Sequence, residues 1–330
     1  MKRLYLLASS YCLSLLVGGV AVLGAGCGKA DNFDPEPLLV PWEQLSGRIA
    51  YVRGNNEIIV IDSATRNVRL AYKTQPNDWV RDITWHPSGS SLTATLLELG
   101  TARWSLVAID IQGASMVALY PAVWSPTYAA WSKDGRIAFR AWGWPTEGLF
   151  IDGVYFPISR TMASFSAPSW SPDGTTLAVA MAPAGDLVLV DMASGTDSPL
   201  GPTNCHAPRY SPDGTTIAFN YEPPDLPEQL WFASVPGGVE THLSGADLIR
   251  PSHAAWSPDG SRLVVQSNTD YNHPKLYLVN ASTGAATQLT AKDGHCRHRR
   301  PKAPVSPRSP VPMSPAGGAE TCEPLACAGR

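Results

Sequence analysis

The chain has 330 residues, 44% hydrophobic and 16% charged, a balance that supports a sizeable core and excludes a coiled coil or a highly charged disordered protein. Thirty Pro and 28 Gly punctuate it too densely for long helices. The formal charge of −3 divides into +2 over residues 1–26, −9 over 27–290 (16 basic, 25 acidic) and +4 over 291–330, and an acidic body makes nucleic acid an unsuitable partner, because phosphate binding needs a basic footprint.

The N-terminus has the layout of an export signal. Lys2 and Arg3 precede an apolar stretch from Leu4 to Leu23, and Gly24, Ala25 and Gly26 lead to Cys27. Residues 1–26 are therefore expected to direct export as a signal segment or, left uncleaved, to anchor the chain at a membrane. Residues 27–45, polar and Pro-containing, form a tether. Of the remaining cysteines, Cys205, Cys296, Cys322 and Cys327 could pair in three ways, and the sequence does not choose among them.

Three strands follow at Gly47–Val52, Glu57–Asp62 and Asn67–Tyr72. Then a short motif recurs, as Trp85-His-Pro-Ser-Gly, Trp131-Ser-Lys-Asp-Gly, Trp170-Ser-Pro-Asp-Gly, Tyr210-Ser-Pro-Asp-Gly and Trp256-Ser-Pro-Asp-Gly. The anchor aromatics are spaced by 46, 39, 40 and 46 residues, close to the period of about 40–45 of a four-stranded propeller blade. Each anchor has a mechanical meaning. The aromatic ends a strand and packs between blades. Ser-Pro-Asp-Gly is a tight turn: Pro pre-sets φ, Asp bonds nearby backbone, and Gly accepts a left-handed conformation. The recurrence of Asp134, Asp173, Asp213 and Asp259 in that turn marks them as structural rather than acid–base groups. A hairpin strand follows each anchor, as at Thr176–Ala180, Thr216–Asn220 and Arg262–Gln266. Third strands are expected at Asp186–Asp191, Gln229–Ala233 and Lys275–Val279, and a fourth at Ala286–Thr290.

The fold expected is all-β: a six-bladed β-propeller of four-stranded blades over residues 46–309, closed by pairing of N- and C-terminal segments. The first blade begins at its second strand, so its inner strand should come from the other end of the chain. Ala303–Ser309 is the candidate, with Val305 standing 49 residues after Trp256. Residues 310–330 are Pro-rich, short of bulky apolar residues, and expected to be disordered.

The repeated Trp-Ser-Pro-Asp-Gly anchor, followed by an Ile-Ala-Phe-type strand, resembles the WD40-like β-propeller repeat of the TolB type. The resemblance covers residues 45–291; Ser88 and Lys133 depart from the motif. It implies a periplasmic or envelope-attached protein of the kind that often serves as an interaction platform. The run before Cys27 is similar to a bacterial lipoprotein signal and implies lipidation of Cys27, although the leucine stands at position 23 rather than three residues before the cysteine. The same repeat occurs in prolyl-oligopeptidase-type peptidases and polysaccharide lyases, so fold alone does not name an activity.

For chemistry, the sequence contains no Gly-x-Ser-x-Gly elbow and no His-Glu-x-x-His motif. His206 and His253 stand four and three residues before their anchors, on strands that would line a central channel. They are the candidate ligands if a metal binds there, although the phases −4 and −3 place them on opposite strand faces. His86, in place of an anchor serine, reads as structural. Trp142 and Trp144, with Tyr221 and Tyr271, fall on loops between second and third strands and form the candidate binding surface. The expectation is a non-catalytic, monomeric, exported propeller without a cofactor that binds a protein or a glycan. The alternative is a metal-dependent lyase or hydrolase using the channel histidines.

Overall fold

The Ser-Pro-Asp-Gly segments close their own turns. Gly174, Gly214 and Gly260 donate their N–H to the carbonyls of Ser171, Ser211 and Ser257 at 2.9, 3.0 and 2.9 Å. All three glycines have φ between 71° and 76°, a region in which L side chains are strained. Asp173 Oδ1 accepts from the Ser171 hydroxyl at 2.6 Å and from the Thr175 N–H at 3.0 Å. Asp213 and Asp259 repeat this arrangement. The divergent copies keep the turn because its closing bond runs between backbone atoms: Gly89 reaches His86 at 2.8 Å and Gly135 reaches Ser132 at 3.1 Å.

The computed structural model describes residues 37–120, 125–141, 147–159, 167–238, 240–243, 248, 250–267 and 275–291. The strands on either side of these turns form six antiparallel sheets, each built from consecutive strands. The result is a six-bladed β-propeller. Blade 1 comprises Arg48–Arg53, Glu57–Asp62 and Asn67–Lys73. Blades 2 to 6 are four-stranded, with innermost strands Asp78–Trp85, Pro126–Trp131, Ser169–Trp170, Cys205–Tyr210 and Pro251–Trp256. Four strands were expected in every blade; blade 1 has three among the described residues. The segment expected to supply the fourth, around Val305, lies outside them, as do residues 1–36 and the tail 310–330.

Closure of the ring is visible in the core. Six buried clusters occupy the six seams between neighbouring blades, and Tyr51, Ile59 and Ile61 of blade 1 pack against Leu276, Leu278 and Leu289 beside blade 6. Burying such aliphatic side chains contributes about 1.5–3 kcal/mol each. The ends of the described chain also meet: Leu38 bridges Thr290, and the Leu39 N–H donates to the Leu289 carbonyl at 3.0 Å. Val40 and Leu45 are buried in the same seam. Packing against the ring thus begins at Leu38, within the segment read as tether.

The anchor aromatics do more than fill space. Trp256 Nε1 donates to the Arg209 carbonyl at 3.0 Å, Trp170 Nε1 to the Ala130 carbonyl at 3.2 Å, and Trp131 Nε1 to Thr93 Oγ1 at 2.9 Å. The Tyr210 hydroxyl bonds Thr176 Oγ1 at 2.9 Å. Each bond ties one blade to the blade before it.

Candidate functional site in the central channel

Four innermost strands break register just before their anchors, between Val80 and Asp82, Thr127 and Ala130, His206 and Arg209, and Ser252 and Ala255. The backbone at Tyr128, Ala207 and His253 is left-handed, with φ of 56°, 50° and 51°. Bulges of this kind re-aim side chains and are common beside functional sites. The three left-handed residues share one repeat position, three residues before the anchor, and the break in blade 2 falls at Arg81, one residue earlier.

The cavity at the centre of the ring has a volume of about 620 Å³ and draws its lining from all six blades. Its charged lining is Arg48, Arg81, Lys133, Arg209 and Arg262 against the single carboxylate of Asp82. A cationic cavity inside an acidic ring is a local specialisation that the total charge conceals.

Each member of the cluster is held. The Arg81 guanidinium lies over the rings of Tyr128 and Trp104, at 5.0 and 5.5 Å, a cation–π arrangement, and donates to the Tyr128 hydroxyl at 2.5 Å. Arg209 Nη1 donates to the Pro208 carbonyl at 2.8 Å. His253 Nε2 stands 3.8 Å from Asp82 Oδ1, and Asp82 Oδ2 is buried without a hydrogen-bond partner among the described residues. Burial raises Asp82 to about 6, against the pull of Arg81 and Arg209. Desolvation, reinforced by Arg209 and Arg81, lowers His253 to about 4. At neutral pH the cluster therefore holds two guanidinium charges, one carboxylate and a neutral imidazole, a net charge of +1.

The two candidate histidines have separate surroundings. His253 lines the cavity. His206 Nε2 sits 2.6 Å from Glu228 Oε1, which also accepts from Asn220 Nδ2 at 2.6 Å. No group of three or more His, Cys, Asp or Glu side chains suited to a metal occurs among the described residues. Tyr221 lies edge-on to Trp231 at 5.4 Å and packs on its own blade. Trp142, Trp144, Tyr271 and Cys27 lie outside the described residues. His86 packs edge-on against Trp131 at 4.6 Å.

Sequence reasoning missed Arg81, Asp82, Tyr128 and Arg209. A signal existed for three of them: counting back four or three residues from the anchor aromatic, which selects His206 and His253, also selects Arg81, Asp82 and Tyr128, whereas Arg209 stands directly before its anchor.

No family model matches the chain, and no curated protein matches it. Among solved structures it is similar to TolB from Acinetobacter baumannii, with a TM-score of 0.64 and 16% identity over 75% of this chain. It spans under two-thirds, 64%, of that protein. It is also similar to a putative TolB from Agrobacterium tumefaciens, with a TM-score of 0.55 and 21% identity over 74% of this chain and 92% of that one. The tricorn protease matches with a TM-score of 0.56 and 14% identity over 82% of this chain, but only 27% of that chain is covered. At these identities the likeness establishes a TolB-like propeller fold.

Proposed function

From this fold, we propose that the chain is an exported envelope propeller, anchored through a lipid on Cys27, which binds a protein partner as a monomer and catalyses no reaction. The observation that carries the non-catalytic part is the setting of His253. The two guanidinium groups that hold its pKa down would also repel a divalent cation, so the channel favours recognition over metal-dependent lyase or hydrolase chemistry. The protein-partner part rests on the resemblance of the repeat to envelope interaction platforms. Tyr221 ends the second strand of blade 5 and packs on Trp231, so it leaves this surface. The partner surface is assigned to the segments carrying Trp142, Trp144 and Tyr271, read from the sequence as loops, since aromatics on loops supply the anchors of protein interfaces.

In cross-linking of the envelope, one partner should be captured by the wild-type chain and lost with Trp142→Ala or Trp144→Ala at unchanged protein levels. A capture pattern indifferent to both substitutions sinks the assigned surface. Cys27→Ser should release the protein from the membrane fraction; retention there removes the lipid anchor. Stoichiometric metal in the purified protein, lost with His253→Ala, would restore the enzyme alternative.

A further inference from the structure

The central channel contains polar groups that the fold itself leaves unanswered. Arg209 belongs to an innermost strand and lines the cavity, and the one hydrogen bond of its guanidinium among the described residues goes to the adjacent Pro208 carbonyl. A guanidinium has five donors in a planar fork matched to a carboxylate. Asp82, whose charge acts on it, forms no ion pair with it within 4 Å among the described residues, and Asp82 keeps one buried oxygen without a partner. His253 keeps 39% of its side chain accessible although it sits at the channel wall, so a small molecule can reach it. The 620 Å³ volume is within the range of small-molecule sites.

We propose that this channel binds a small organic acid that carries a hydroxyl beside its carboxylate, with the carboxylate on Arg209 and the hydroxyl donating to Asp82. Three observations support that assignment. Arg209 and Arg81 outnumber Asp82, so an anion gains net attraction where a second cation would not. Arg81 is oriented by Tyr128 and supplies charge without having to reorganise. Asp82 Oδ2 has no hydrogen-bond donor among the described residues, and a hydroxy acid brings one that a plain carboxylate lacks. His253, neutral at physiological pH, can donate or accept beside them. The site requires no protein partner and stands or falls separately from the loop surface.

The test is calorimetric titration of the full chain with malate, succinate and inorganic phosphate. Malate and succinate differ by one hydroxyl. Malate should bind at least about tenfold tighter than succinate, the scale of a hydrogen bond to a charged group. Arg209→Gln should weaken malate at least about tenfold for the same reason, and Asp82→Asn should abolish the preference for malate over succinate. Absence of saturable heat with malate on folded wild-type protein overturns the site. So does wild-type affinity in Arg209→Gln, and phosphate binding as tightly as malate overturns the ligand class. Should Arg209→Gln not fold, the His253 ring resonances of the wild-type chain decide: they should shift on saturation with malate, and an unshifted spectrum overturns the proposal.

Discussion

His253 and Asp82 hold the same place in their repeats, three residues before an anchor aromatic, and their side chains come within 3.8 Å although blade 1 stands between their blades. The contact joins two groups whose protonation is displaced in opposite directions. Desolvation at the channel wall disfavours the charge on each, raising the carboxylate and lowering the imidazole, which Arg209 and Arg81 push down further.

Opposite displacements give opposite pH slopes. Asp82 moves from 3.8 to about 6, so its stabilising effect is complete below pH 3.8 and lost as pH rises through 6. His253 moves from 6.5 to about 4, so its effect is complete above pH 6.5 and lost as pH falls through 4. Between pH 4 and 6.5 the two largely offset each other. Measured against wild type by urea denaturation over this window, Asp82→Asn should lose stability as pH falls, and His253→Gln should gain it. Slopes of the same sign in both variants would contradict the assignment.

The anchor tryptophans staple neighbouring blades with a polar bond as well as an apolar face. Trp256 illustrates both, stacking on Phe232 at 5.3 Å and bonding the Arg209 carbonyl at 3.0 Å. Trp256→Phe keeps most of the face and loses the bond, so it should cost about 1 kcal/mol. Trp256→Ala should cost about 3–5 kcal/mol, because a cavity opens between blades 5 and 6. A Trp256→Phe chain as stable as wild type in chemical denaturation would show that the indole N–H contributes nothing.

Much of the ring was legible because its rules are local. Ser-Pro-Asp-Gly fixes a turn by its own chemistry, so the strand expected at Asp186–Asp191 coincides with the one observed. The channel was less legible. Strand alternation predicts opposite faces for side chains at −4 and −3, but a register break between His206 and Arg209, and another between Ser252 and Ala255, interrupts that alternation. A bulge leaves no residue signature comparable to the turn. The partners of these groups come from distant parts of the chain: Asp82 faces His253, and Arg81 faces Tyr128. Such pairings depend on ring closure, which no single repeat encodes.

Cys205 illustrates how burial silences a reactive group. Its thiol is buried beside the Pro202 carbonyl, 3.2 Å away, and burial, aided by Glu240 and Asp186, pushes it up to about 12. At pH 8 its thiolate fraction, and hence its alkylation, should be about three orders of magnitude below that of an ordinary exposed thiol with a pKa of about 8.5. Peptide mapping after iodoacetamide should find Cys205 unmodified in the native chain and modified in urea. Rapid native labelling would mean that the start of the innermost strand of blade 5 opens easily.

Asn220 makes the most consequential polar connection between blades 5 and 6. It is fully buried, and its Nδ2 donates to Glu228 Oε1 at 2.6 Å and to the Pro251 carbonyl at the start of the innermost strand of blade 6. Glu228 in turn holds His206. Asn220→Ala would strip a donor from a half-buried carboxylate and from a buried strand carbonyl at once. Leaving such acceptors unsatisfied costs about 1–3 kcal/mol, more where one is charged. Asn220→Asp should be worse, because it places a second carboxylate against Glu228 in a poorly solvated setting. The expected order in urea is therefore wild type, then Asn220→Ala, then Asn220→Asp. An Asn220→Asp chain as stable as Asn220→Ala at neutral pH would show that water reaches this junction and that the two blades do not depend on it.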